Sequence, residues 1–378
     1  MPVTPTFFKR FLLPGFAFKA VVIGGGYATG RELAEFFLPG GPWGGVLGML
    51  LAMACWSSVC AATFVFARAT SSYDYGSFFR TLLGPGWFLF DGAYACLIVI
   101  MLSVFGAAAG AIGAAVFGWQ EIVGTLALVV GIAAVAAFGN ESVERLFKYV
   151  TYFLYSVYAA FVVLALVKTS DRVVSNFADA PPTAGWAIGG LTYAGYNVVG
   201  AVVILPVLRH LTNRRDAVVA GVLAGPLGML PAILFYVCMI AYYPAIGSAT
   251  LPSDYMLSRL NAPVFHVFFQ TMIFAALLES GTGAVHAVNQ RIAGVLGARG
   301  RTLPPAVRLA LSTSVLVLSI FVANRFGLVM LIARGYRALA YLIIAVYVLP
   351  LFALALRTRG RFTRSNAAPI SAPADGTP

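Results

Sequence analysis

Long apolar stretches with short polar interruptions run along the whole chain of 378 residues. Nine stretches contain no Asp, Glu, Lys or Arg, and several reach the roughly 20 apolar residues that a helix needs to cross a bilayer. With the segment from about residue 12 to 37 they predict ten transmembrane helices. The nine stretches are 36–67, 92–120, 122–140, 149–167, 180–208, 217–253, 260–278, 309–324 and 338–356.

The composition agrees with this pattern. Hydrophobic residues make up 60% of the chain and charged residues only 10%, against roughly 25% charged in soluble domains. This excludes a water-soluble globule and predicts an all-α membrane protein in contact with lipid. The net charge is +12, but the basic residues are scattered between apolar stretches, so we expect no nucleic-acid partner.

The distribution of Lys and Arg predicts the orientation, because basic loops stay cytoplasmic. With the N-terminus inside, 17 of the 25 basic residues are cytoplasmic and six lie outside or near that interface. Both termini are therefore predicted to be cytoplasmic, in the plasma (inner) membrane. Residues 1–10 form a predicted cytoplasmic N-terminus, and the tail 357–378, rich in Pro, Ala and Ser, is predicted to be disordered.

Glycine clusters interrupt two of the predicted helices. The first helix contains the run Gly24, Gly25, Gly26 and then Gly30, and the sixth has several glycines between 189 and 200. Glycine costs a helix interior about 1 kcal/mol each, so such clusters mark places where a helix can open. The clusters lie about half the embedded length apart, which divides the chain into five-helix sets at 11–168 and 184–356. Because five is odd, the second set is inverted relative to the first.

A break inside the membrane frees main-chain N–H and C=O groups that lipid cannot satisfy. A small polar or charged solute can bind to such groups, and their carbonyl oxygens can coordinate a cation. The alternative is that the glycines only allow close helix packing. Two clusters at corresponding positions favour a binding site.

The segments IGGGYATGRELAEFF and LTYAGYNVVGAVVILP resemble the first and sixth helices of the amino acid, polyamine and organocation (APC) transporter superfamily, and within it the YkvI-like branch. The resemblance extends over about residues 11–356. It implies a LeuT-type fold with a 5+5 inverted repeat and with substrate held between the broken helices. The predicted substrate-binding residues are Gly24, Gly26, Tyr27, Thr29, Gly30, Tyr193, Tyr196 and Asn197.

Ionisable residues within membrane helices are functional candidates because buried charge is costly there. Glu32 is predicted either to carry a proton or to form a capping box with Thr29. Arg31 and Glu35 are spaced to form a local salt pair.

Glu279 on the eighth helix is the second candidate for ion coupling. The resemblance implies a Na+ site made by Ser280, Thr282 and main-chain carbonyls near Gly24 and Tyr27. His286 lies two helical turns beyond Glu279, so the two either share a proton path or pack in a hydrogen-bond network. No organic cofactor is expected.

The sequence therefore predicts a secondary active transporter that moves a small amino-acid-like solute by alternating access, coupled to Na+ or H+. One alternative is a membrane sensor or partner protein of the same fold that binds a solute without transporting it, and another is a channel. An enzyme is not expected, because the sequence shows neither a nucleophile with its base nor a metal-ligand cluster. The sequence makes no prediction of an oligomeric state.

Overall fold

The structure is a computed structural model that describes residues 6–23, 25–137, 140–180, 184–297 and 304–355. Every regular element within these ranges is helical, as expected for an all-α membrane protein. Gly24, the predicted tail 357–378 and the first five residues of the predicted cytoplasmic N-terminus lie outside the described residues.

Fifteen α-helices follow one another along the described chain. They are α1 (Leu13–Val22), α2 (Gly25–Ala28), α3 (Arg31–Phe36), α4 (Gly41–Ala69), α5 (Tyr75–Leu83), α6 (Phe88–Phe117), α7 (Glu121–Ala137), α8 (Asn140–Ala178), α9 (Trp186–Asn197), α10 (Gly200–Val203), α11 (Arg214–Ile240), α12 (Pro252–Arg259), α13 (Pro263–Gly297), α14 (Pro305–Met330) and α15 (Arg337–Ile343). Short 3-10 or π-helical segments lie at Phe8–Leu12, Leu38–Gly40, Gly84–Trp87, Leu205–His210, Ala245–Ser248, Leu331–Tyr336 and Ile344–Val348.

Six helical stretches of the described chain are long and apolar enough to cross a bilayer. They are Arg31–Ala69, Tyr75–Phe117, Tyr152–Ala178, Arg214–Ile240, Pro263–Gly294 and Val307–Ala355.

The remaining predicted spans are not separate members of this set because their helices are divided, short or joined to a neighbour. The first and sixth spans are divided into short helices, and α7, which is the fourth, has only 17 residues. The last stretch joins the ninth and tenth predicted spans across Gly327, whose φ of 69° and ψ of 168° are not helical. Helices therefore occupy all ten predicted positions.

Helices α4 and α11 pack closely against each other along their lengths. Each is the second span of its predicted five-helix set. Small residues allow the contact: a Cβ on Gly221 or Gly225 would collide with the backbone of α4. Close approach through small residues is the usual way in which membrane helices associate, since lipid removes the hydrophobic driving force.

Two glycines of the second predicted cluster also serve close packing and do not open the helix. Gly189 and Gly190 lie within α9, and a Cβ on Gly190 would lie 2.5 Å from the carbonyl oxygen of Gly48 in α4. The packing alternative therefore applies to this pair.

We expect Gly190→Ala to lower the stability of the protein by about 1–3 kcal/mol, because a methyl group there must push two backbones apart. The matched control is Gly92→Ala in α6, where the added Cβ would meet nothing within 4 Å. That change should be neutral or slightly stabilising, because alanine is the better helix former. Thermal unfolding in detergent measures both variants, and equal midpoints would show that α4 and α9 are not in backbone contact.

Candidate functional site

The first membrane segment is interrupted twice. The first interruption follows α1 at Ile23, whose ψ of 74° is outside the helical region. Helix α2, which comes next, is a single turn. The second interruption is at Gly30, which adopts a left-handed conformation with φ of 76° and ψ of −3°. A side chain at this position would be strained, and its Cβ would lie 2.6 Å from the Phe235 ring, so glycine is required here.

The sixth segment is interrupted between Asn197 and Gly200. Here main-chain hydrogen bonds join residues three apart, not four apart as in an α-helix. The N–H of Ala201 donates to the carbonyl oxygen of Val198, and that of Val202 donates to the carbonyl oxygen of Val199. The interruption therefore lies at the end of the glycine-rich run. Gly195, nearer its middle, is inside α9 and packs against Ile344.

The two interrupted segments are in direct contact. Helix α3 packs against α9, and α1 packs against α10. The hydroxyl of Tyr196 donates a hydrogen bond of 2.5 Å to the Glu32 carboxylate. The ring of Phe36 lies beside those of Tyr193 and Tyr196, with centroids 6.2 and 6.0 Å away. The two interruptions therefore lie next to each other in the fold, as an inverted repeat predicts.

A cavity of about 100 Å³ lies between the two breaks. Four of the predicted site residues line it: Tyr27 and Glu32 from the first segment, and Tyr196 and Asn197 from the sixth. The other lining residues are Val21, Val22, Tyr94, Leu97, Ile98, Met101, Phe105, Val199, Gly200, Val203, Ala284 and Tyr336. Tyr94 and Tyr336 were not predicted, since they belong to other helices and no local motif distinguishes them.

Other predicted site residues lie around the cavity without lining it. Thr29 is fully buried, and its carbonyl oxygen accepts a bond of 3.0 Å from the N–H of Ser253. Tyr193 is buried behind the wall, edge-on to the Phe37 ring at 4.9 Å. Gly26 lies within α2 and Gly30 at the second interruption. These residues support the broken segments, and a direct role in binding stays a prediction.

Glu32 and its neighbour Arg31 point to different partners. The hydroxyl oxygen of Thr29 accepts a bond of 3.2 Å from the N–H of Arg31 at the start of α3, and the capping box of Thr29 with Glu32 stays a prediction. Arg31 makes the expected salt bridge to Glu35 at 3.0 Å and donates to the carbonyl oxygens of residues 247 and 249 at 2.8 and 2.9 Å. The Glu32 carboxylate is left facing the cavity and Tyr196.

Helix α13, which carries the other predicted ion-coupling residues, packs against α2. Thr282 is fully buried, and its hydroxyl donates to the carbonyl oxygen of Leu278 at 2.7 Å. Glu279 and Ser280 are partly exposed and lie outside the cavity lining. His286 contacts Gln290, with 2.8 Å between the two side-chain nitrogens, a local pairing one turn along the helix.

Polar contacts join the two halves of the chain on opposite sides of the cavity region. On the side where the chain begins, Arg10 binds Asp216 through two bonds of 2.7 and 2.8 Å. On the opposite side, Arg31 and the carbonyl of Thr29 hold the segment that contains Gly247 and Ser253. We call these contacts the Arg10–Asp216 pair and the outer-loop contacts.

Comparisons with known proteins support this architecture. No protein-family model matches the chain. YkvI of Bacillus subtilis (strain 168), named as an uncharacterized membrane protein, is 19% identical over 337 residues, which cover 87% of this chain and 92% of YkvI. Its similarity confirms the resemblance predicted from the two glycine-rich segments.

Solved structures show the same fold. The structure of MhsT in complex with L-phenylalanine is similar with a TM-score of 0.61 and 14% identity, covering 89% of this chain and 88% of MhsT. A Na+-coupled sialic acid symporter in its substrate-bound outward-open state has a TM-score of 0.57 and 13% identity, covering 92% of this chain and 82% of the symporter. The chain is therefore a membrane protein of the LeuT-type transporter fold, similar over most of its length to YkvI.

Proposed function

We propose that the protein is a secondary active transporter that moves a small amino-acid-like solute by alternating access. The cavity at the meeting point of the two interrupted segments carries this proposal. Interrupted helices leave main-chain polar groups that lipid cannot satisfy and that a polar solute can. The symporter of the same fold is named for transport of sialic acid, and MhsT was solved with L-phenylalanine. These names support a small-molecule solute for this chain.

Alternating access requires a closure on each side of the solute. The Arg10–Asp216 pair and the outer-loop contacts lie on opposite sides of the cavity region, and each joins segments from different halves of the chain. Opening one set while the other stays closed exposes the cavity to one side at a time. We propose that the Arg10–Asp216 pair faces the cytoplasm, as the excess of basic residues on that side indicates, in the plasma (inner) membrane.

We further propose that Na+ or H+ drives the transport. For Na+, the hydroxyl oxygens of Ser280 and Thr282 and carbonyls near the first interruption offer the oxygen ligands that interrupted helices supply in transporters. For H+, Glu32 and Glu279 are the candidate carriers, since both are carboxylates within membrane segments. The packing of α13 against α2 supports both versions.

Uptake into proteoliposomes under imposed gradients tests this function. A transporter accumulates its solute when a Na+ or proton gradient is applied, and the effective gradient identifies the ion. A sensor binds solute without flux, and a channel passes it at rates far above carrier turnover without needing a gradient.

Asn197→Ala should weaken solute binding by about tenfold, the loss of one hydrogen bond. Asn197 lines the cavity, and its Nδ2 donates to the carbonyl oxygen of Tyr193 at 3.0 Å. That bond uses a donor of the amide, so its oxygen can accept from a solute. The matched control is Asn176→Ala, which removes a bond of 2.6 Å from Nδ2 to Ile240 away from the cavity and should leave affinity unchanged. An Asn197→Ala protein that binds and transports every tested solute like wild type would remove this residue from the site.

A further inference from the structure

The charge on the side chains that line the cavity is negative only. Among the described residues that line it, Glu32 is the charged side chain, and none is Lys, Arg or His. A solute that enters therefore meets a carboxylate and no basic side chain. The charge balance of the site favours a positively charged group on the solute.

Among the described residues, no basic side chain forms a salt bridge with the Glu32 carboxylate. In the described part of the chain no basic side chain lies within 4.0 Å of it. Arg31, next in sequence, is committed to Glu35 and to the carbonyls of the outer-loop contacts. Glu32 is 5% exposed, and a neighbouring positive charge stabilises a carboxylate buried within the membrane. The cargo can supply that charge.

Aromatic rings surround the same space. Tyr27, Tyr94, Tyr196 and Tyr336 all line the cavity, and the rings of Tyr196 and Tyr336 are stacked with centroids 4.5 Å apart. Aromatic faces attract ammonium groups, most strongly where water is excluded. A carboxylate on the solute gains nothing from these faces and is repelled by Glu32.

Apart from Asn197, the remaining wall is apolar. Leu97, Ile98, Met101 and Phe105 of α6 form one side, and Val199 and Val203 lie on the sixth segment. An apolar body fits against these residues, and its burial contributes to affinity in proportion to area. The cavity thus combines a single anionic contact with an aromatic and aliphatic surround.

We propose that the cavity selects a small monoamine with an apolar body, whose ammonium group binds Glu32 and which needs no carboxylate. This rests on the proposed function, since it takes the cavity to be the transport site, and it narrows the solute from amino-acid-like compounds to their decarboxylated amines.

Two sets of matched compounds test the selectivity on the purified full-length protein. One is 3-methylbutylamine, leucine and 4-methylpentanoate; the other is 2-phenylethylamine, phenylalanine and 3-phenylpropanoate. Within each set the apolar body is the same and only the charged groups change. Calorimetric titration and thermal shift should show binding in the order amine, amino acid, carboxylic acid, with the amine at least tenfold tighter than its amino acid in one set.

Two carboxylate variants locate the effect. Glu32→Gln should lose at least tenfold in amine affinity and the preference for the amine. Glu35→Gln removes a carboxylate one turn away that pairs with Arg31 outside the cavity lining, and it should keep both. Since the wild-type comparison needs no variant, a Glu32→Gln protein that does not fold leaves the test intact.

The failures of the two proposals are distinguishable. Binding and gradient-driven uptake of an amino acid whose amine does not bind would overturn the amine inference and leave the transporter proposal standing. Amine binding without flux of any compound would overturn the transporter proposal.

Discussion

Replacing Tyr196 by phenylalanine should lower solute binding and uptake by about 30- to 100-fold while the chain still folds. The Tyr196 hydroxyl donates to the Glu32 carboxylate at 2.5 Å, and both side chains are buried. Without this donor the buried negative charge of Glu32 is less stable and less available to a cation. Leaving a buried charged acceptor unsatisfied costs about 2–2.7 kcal/mol, which corresponds to this range in affinity.

The same substitution should uncouple the two interrupted segments. The Tyr196–Glu32 bond joins residues 164 positions apart and ties α3 to α9 directly. The phenyl ring keeps its stacking on Tyr336, so the loss is confined to the hydroxyl.

Tyr347→Phe is the matched control for this prediction. It removes a buried hydroxyl that lies 2.5 Å from the Thr63 hydroxyl, outside the cavity lining. Both variants should unfold at somewhat lower temperature, and Tyr196→Phe alone should lose solute affinity in titration and uptake assays. Wild-type affinity in Tyr196→Phe would show that the Glu32 carboxylate does not need this donor for binding.

Breaking the Arg10–Asp216 pair should shift the protein severalfold toward a state that is open on the side of its N-terminus. Asp216 is 1% exposed and Arg10 is 31% exposed. Asp216 also accepts bonds from the N–H and the hydroxyl of Thr212, so its position at the start of α11 is fixed. Because Arg10 is partly exposed, solvent screens the pair, so its contribution to closing this side is modest.

Alkylation of a cysteine in the cavity wall measures this shift. Val22 is buried and lines the cavity, so Val22→Cys reports access once Cys55, Cys60, Cys96 and Cys238 are replaced by alanine. A water-soluble maleimide should react severalfold faster with this cysteine in an Arg10→Gln background. Lys9→Gln removes an adjacent positive charge and should not change the rate. Equal rates in the two backgrounds would mean that the pair does not hold this side closed.

The helices were predictable because a hydrophobic stretch determines its own local structure. A segment without charge that is long enough to cross a bilayer must satisfy its own backbone, which requires a helix. The interruption at Gly30 was predictable for a similar reason, since a left-handed residue favours glycine. Gly189 and Gly190 show the limit of this signal: glycine also allows backbones to touch, and here Gly189 does so against Phe36 of α3 and Gly190 against Gly48 of α4.

The composition of the cavity was only partly predictable. Tyr27, Glu32, Tyr196 and Asn197 belong to the two marked segments and were identified from them. Tyr94 comes from α6 and Tyr336 from the π-helical segment before α15, and among 17 tyrosines nothing in their local sequence sets them apart. The partner of Glu32 was equally hidden, because the capping pattern with Thr29 is local and the bond to Tyr196 is set by how the two halves pack.

Solute counterflow tests the central claim most directly, because it detects alternating access of a binding site without any driving ion. Proteoliposomes are preloaded with an unlabelled amine or amino acid, and entry of the same labelled compound is followed with no ion gradient. We expect a transient accumulation of label above equilibrium for wild type with at least one compound of the two matched sets, and a much smaller one for Tyr196→Phe. Absence of this overshoot for every compound with folded wild-type protein, or an equal overshoot in both proteins, would contradict the account.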